Sequence, residues 1–108
     1  MSRGDRGQNG GMVVGSLAFE LHLPAVHSLK EKRAVIRPIV DGARNRFAVS
    51  AAEVDHQEHW QRATVAMAAV SGTVSQVRQV LDAVERFVWS FPEVEVLDST
   101  LQWMEVEG

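Results

Sequence analysis

Six of the chain's eleven basic residues, Lys30, Lys32, Arg33, Arg37, Arg44 and Arg46, lie between Ser28 and Arg46, against two acids, Glu31 and Asp41. That stretch therefore carries +4, and the rest of the chain −7, for a net charge of −3. A guanidinium offers paired N–H donors that match phosphate oxygens, and the cluster is rich in arginine, the better cation for that geometry. At about 100° per residue, Lys30, Arg33, Arg37 and Arg44 share a helical stripe roughly 60° wide, with Lys32 and Arg46 outside it. Such a stripe can hold a polyanion, and RNA or a ribosomal particle is the expected partner. Phosphate contacts position a nucleic acid without reading its sequence. The same charges also make an ordinary solvated helix face, with Arg44 and Arg46 complementing the negative helix end. Both readings stand at this point.

The other polar residues nominate less. His56 and His59, beside Asp55 and Glu58, do not match a structural zinc site, which needs four protein ligands in a closed tetrahedron, and read as surface histidines of a polar loop, so no metal is expected. The chain has no cysteine, which excludes disulfides, thiolate metal sites and cysteine nucleophiles together. His27 precedes a helix start close to Lys30 and Arg33, where it would position the turn or, alternatively, donate to a phosphate. Glu53 sits in an apolar strand and should pair with a base such as Arg62 on the neighbouring strand. No acid–base pair is placed by the sequence, so the expectation is a non-enzymatic protein without a cofactor. Enzymatic action on a small anion near His27 is a minor alternative.

These groups must be held by elements that the hydrophobic pattern defines. Met12–Leu23 alternates, with Val13, Leu17, Phe19, Leu21 and Leu23 on one side, the period of a half-buried strand that Pro24 ends. Ser28-Leu-Lys-Glu31 reads as a capping box opening a helix whose apolar residues are Leu29, Ile36, Ile39, Val40, Ala43 and Phe47. Pro38 inside it should kink the helix or open a second, shorter one. Phe47–Val54 and Arg62–Ser71 read as strands joined by the polar loop Asp55–Trp60. Thr73-Val-Ser-Gln76 caps a second amphipathic helix, bearing Val74, Val77, Leu81, Val84, Val88 and Phe91 and stopped by Pro92. A last strand starts at Glu93 and is expected to run through Leu101 and Trp103 with a bulge near Asp98.

The order β-α-β-β-α-β predicts a ferredoxin-like α+β fold, a four-stranded antiparallel sheet with both helices on one face. With 108 residues, 45% of them apolar, one domain over residues 12–108 is expected, preceded by a disordered Gly-rich tail at 1–11. No apolar run is long enough for a membrane helix, and the first residues lack the apolar core of a secretory signal. A cytoplasmic protein without membrane contact is the expectation. The sheet offers little for base stacking, because the third strand has no aromatic residue. That strand is apolar on both parities, which suggests that its outer face is covered by self-association; Val65, Met67 and Ala69, with Trp60, are the expected interface. The loop Pro24–His27 has neither glycine nor arginine, so it lacks the phosphate nest by which acylphosphatases use this fold.

His27-Ser-Leu-Lys-Glu-Lys-Arg33, Arg44-Asn-Arg-Phe47, Ala52-Glu-Val54 and Trp60-Gln-Arg-Ala63 together resemble the YlxP-like family of small bacterial proteins of unknown function. The resemblance spans about Met12 to Val96 and independently implies the ferredoxin-like fold. It also implies a gene neighbourhood of ribosome maturation and translation initiation. It brings no catalytic residues. The Gly-rich tail, Pro38 and the histidine-rich loop depart from the family pattern.

Overall fold

The computed structural model describes residues 11–106, so the expected tail lies almost wholly outside the described residues. The elements follow as β1 (Met12–His22), α1 (Leu29–Arg46), β2 (Ser50–Asp55), β3 (Arg62–Ser71), α2 (Val74–Trp89) and β4 (Glu95–Val106). All strand pairs are antiparallel and the order across the sheet is β2-β3-β1-β4, the ferredoxin-like topology.

Alternation in β1 turns Val13, Leu17, Phe19 and Leu21 into the core, where Ile36, Ile39, Val77, Leu81, Val84 and Val88 of the two helices meet them. Phe19 and Leu21 are wholly excluded from water; burying side chains of that size is worth about 1.5–3 kcal/mol each. Gly15 on β1 stands where a Cβ would lie 2.6 Å from Val77 Cγ1 and 2.9 Å from Leu81 Cδ1, so the missing side chain sets how closely α2 approaches the sheet.

Both helix starts are capped as their sequences require. In α1 the Glu31 N–H donates to Ser28 Oγ at 3.1 Å. The Glu31 carboxylate accepts from the His27 N–H at 2.8 Å, one residue before the cap itself. In α2 the Gln76 N–H donates to Thr73 Oγ1 at 3.2 Å. Pro38 does not split α1, which runs as one helix of 18 residues. Pro38 and Ala34, whose carbonyl loses its usual helical donor to the proline, are both exposed, so water can serve that carbonyl.

Gly42 lets the two helices touch: a Cβ there would stand 2.6 Å from Phe87 Cζ. Phe87 in turn packs edge-on against Phe47 and Phe91, with ring centroids 5.5 and 5.1 Å apart. Phe47 thus caps α1 rather than opening β2, its N–H bonded back to the Ala43 carbonyl, and β2 is shorter than expected. The bulge near Asp98 is present as a register shift: Glu20 faces Asp98 while Leu21 faces Val96.

The two sheet edges differ. Outside β2, the Ala51 carbonyl accepts from Arg44 Nε at 3.0 Å and the Glu53 carbonyl from Gln57 Nε2 at 3.3 Å, so side chains occupy acceptors that an incoming strand would need. β4 is the other edge, paired among the described residues with β1 alone and exposed along most of its length.

Candidate anion-binding groove

Spacing along α1 places Arg33, Arg37 and Arg44 at positions i, i+4 and i+11, on the face that looks over the β2 edge. There they line a groove of about 440 Å³ with Ile36, Val40, Asp41, Ala52 and Glu53. Ile36 and Val40 make an apolar floor, the arginines a cationic wall. Arg33 and Arg37 are exposed and have no hydrogen-bond or ion-pair partner among the described residues. Arg44 is partly committed: besides the Ala51 carbonyl it meets Asp41 Oδ1 at 3.4 Å. Lys30 is exposed on the first turn of the same helix. Arg46 lies apart, its guanidinium stacked 5.2 Å above the Phe87 ring.

Lys32 departs from the expected phosphate set. Its side chain is only 2% exposed, and its ammonium meets Glu53 Oε2 at 2.7 Å, the His56 carbonyl at 2.5 Å and the His59 carbonyl at 2.8 Å. Two of its donors go to the carbonyls and its charge is matched by the Glu53 carboxylate, so this buried ammonium is committed inside the fold and not offered to a phosphate. Lys32 instead ties α1 to the β2–β3 hairpin, whose His56 carries a positive φ of 61°. Glu53 accordingly pairs with Lys32 and not with Arg62. Arg62 lies on the open sheet face, 3.3 Å from Glu20 Oε1, while Thr64 Oγ1 donates to Glu20 Oε2 at 2.7 Å. His56 Nε2 stands 3.5 Å from the same carboxylate.

The expected interface residues are also corrected. Val65, Met67 and Ala69 are 0%, 1% and 4% exposed, turned under the helices into the core. Pairing Leu17 with Met67 and Phe19 with Val65 fixes that parity, since β1 must bury the same side. The open face carries Ala66, Ala68 and Val70 instead. Trp60 is half exposed on the β2–β3 loop, outside the strands of the sheet. Gln61 beside it stitches this loop to the β1–α1 loop, donating through Nε2 to the Val26 carbonyl at 3.1 Å. His27 contributes its backbone N–H to Glu31, a turn-positioning role.

Among the described residues, no group of three or more His, Cys, Asp or Glu side chains is arranged to hold a metal ion. Among them too, no helix is long and apolar enough to cross a membrane. The groove residues that sequence reasoning missed are Ile36 and Val40 as its floor, and Ala52 and Glu53 as its far wall. The first two were assigned wholly to the core; the last two needed the pairing of β2 beside α1.

Fold and groove define a small ferredoxin-like α+β domain with a cationic groove along one sheet edge. Residues 14–101 match the family described as "Protein of unknown function (DUF503)", and the chain belongs to it. It is 42% identical over 91 residues to the "Uncharacterized protein YlxP" of Bacillus subtilis (strain 168), covering 84% of this chain and 99% of that one. Among solved structures it is similar to the "De novo designed protein Foldit4", with a TM-score of 0.52 and 11% identity over 88% of this chain and 98% of the other. At that identity the likeness concerns the fold alone.

Proposed function

We propose that this protein is a non-enzymatic accessory factor that holds RNA, free or in a ribosomal particle, by phosphate contacts from Lys30, Arg33, Arg37 and Arg44. The observation that carries this is the pair Arg33 and Arg37, unpartnered among the described residues and side by side in a groove, on a chain whose net charge is −3. Segregating cations on an acidic chain favours a polyanion over general stickiness. The genomic setting implied by the family resemblance supports the same choice of polyanion. Cytoplasmic residence goes with this reading.

Co-sedimentation with ribosomal subunits and with single-stranded RNA, across a salt series, tests it. Changing Arg33→Glu and Arg37→Glu together is expected to lower affinity at least about tenfold at low salt. The salt dependence should also flatten by about 1.4 on a log–log plot, two contacts at about 0.7 each for a single strand. Circular dichroism should be unchanged, because neither side chain supports the fold. Equal retention of both proteins at every salt concentration would end the proposal.

A second reading, self-association through the open sheet face, is favoured by Ala18, Ala52, Ala66, Ala68 and Val70, which no element of the described chain covers. Under it, sedimentation velocity at micromolar concentration gives a dimer or larger species that Ala68→Lys returns to monomer. A monomer from the start removes this reading.

A further inference from the structure

We propose that the β4 edge is a docking strand for a basic, extended polypeptide segment that adds to the sheet as a fifth strand. The inference is independent of the RNA reading, since it concerns the opposite edge of the sheet.

The backbone argument comes first. β4 runs Glu95–Val106 and, among the described residues, is bonded to β1 alone, so alternate N–H and C=O groups along its outer side have no partner strand there. Natural edges are usually blunted by lysine, proline or side-chain caps. The β2 edge has such caps in Arg44 and Gln57, whereas Ser99-Thr-Leu-Gln-Trp-Met104 on β4 is an uncharged run of six residues without proline.

Side-chain chemistry then selects the partner. Beyond Pro92 the chain has five acids, Glu93, Glu95, Asp98, Glu105 and Glu107, and no base. Beside the strand, a groove of about 150 Å³ has Leu81, Leu101 and Trp103 on its walls and Asp82 and Glu85 on its rim. Arg78, also on the rim, is stacked 5.3 Å over the Trp103 ring. The groove suits one apolar side chain of an added strand, and the flanking carboxylates suit lysines or arginines placed before and after it. Strand addition gives affinity through the backbone and selectivity through alternate side chains.

A second copy of the chain fits this edge poorly. It would bring the same five acids, and no base, from the segment after Pro92 to an edge already flanked by carboxylates. Like charges directly opposite on neighbouring strands are destabilising.

The test uses the full-length, 15N-labelled protein and two ten-residue peptides, alternating lysine–valine and alternating glutamate–valine. With the lysine peptide, alternate β4 amides between Ser99 and Met104 are expected to gain at least about tenfold protection from hydrogen exchange. The glutamate peptide should give none. Exposed Asp82 and half-buried Glu85 can be neutralised without disturbing the core, so Asp82→Asn with Glu85→Gln should fold normally and bind the lysine peptide several-fold more weakly. Three results would overturn the proposal: absence of β4 protection by the lysine peptide, equal protection by both peptides, or β4 protection that rises with protein concentration alone, which assigns the edge to a second copy.

Discussion

Lys32→Ala is expected to lower the free energy of unfolding by about 3–5 kcal/mol, a large share of the roughly 5–15 kcal/mol that holds a domain of this size. Removing the ammonium leaves the Glu53 carboxylate without its cation, and the His56 and His59 carbonyls without their Lys32 donor, in a place water reaches poorly. The cost is that of the stranded partners more than of the lost attraction. A double variant separates the two: Lys32→Met with Glu53→Leu removes both charges together and should recover much of the loss. Urea unfolding of the three proteins measures this. A single variant within about 1 kcal/mol of the parent would mean that Lys32 is not the tie between α1 and the hairpin. Loss of RNA binding by a Lys32 variant would therefore report damage to the hairpin, not a lost phosphate contact.

Gly15→Val should cost about 3 kcal/mol, although strand preference points the other way. Replacing glycine inside a strand by a β-former ordinarily gains about 0.5–1 kcal/mol. Here the first added carbon already stands 2.6 Å from Val77 Cγ1 and 3.2 Å from the Trp103 ring. Val77 is β-branched on a helix, with little rotameric freedom to withdraw, so α2 itself must move. Overpacking of that kind costs about 1–3 kcal/mol for small insertions, and the two γ-carbons of valine place it at the upper end. A lowered urea midpoint with an unchanged slope is the expected signature. An equal or higher midpoint would show that the helix can shift at no cost.

The elements were legible because their periods are clean. β1 alternates without a fault, β3 was bounded correctly at both ends, and both caps are formed by the residues that announce them. What failed, failed locally. Both parities of β3 are apolar, so alternation could not say which side is core; Arg62 on the even parity was the available clue to the open face. Lys32 was counted with the phosphate ligands because its charge outweighed its position. Its spacing to Ile36, Ile39 and Ala43 is that of the buried stripe, which was visible in the sequence. Glu53 was given the wrong partner because strand neighbours were considered and the helix above was not. The floor of the groove could not be read at all without the packing of α1 against β2.

The register of β1 against β4, with Met12 opposite Val106, bears on the order in which the protein is made. A ribosome delivers β1 first and its neighbour β4 last, and at ~5–20 residues per second the interval is on the order of ten seconds. Once β3 is made, β1 can pair with it on one side but still has no mate on the other. The nascent chain therefore spends its synthesis with the middle of its future sheet acting as a temporary border. Emergence of β4 closes that border and sets the sequence of assembly: hairpin and helices early, central strand sealed after them.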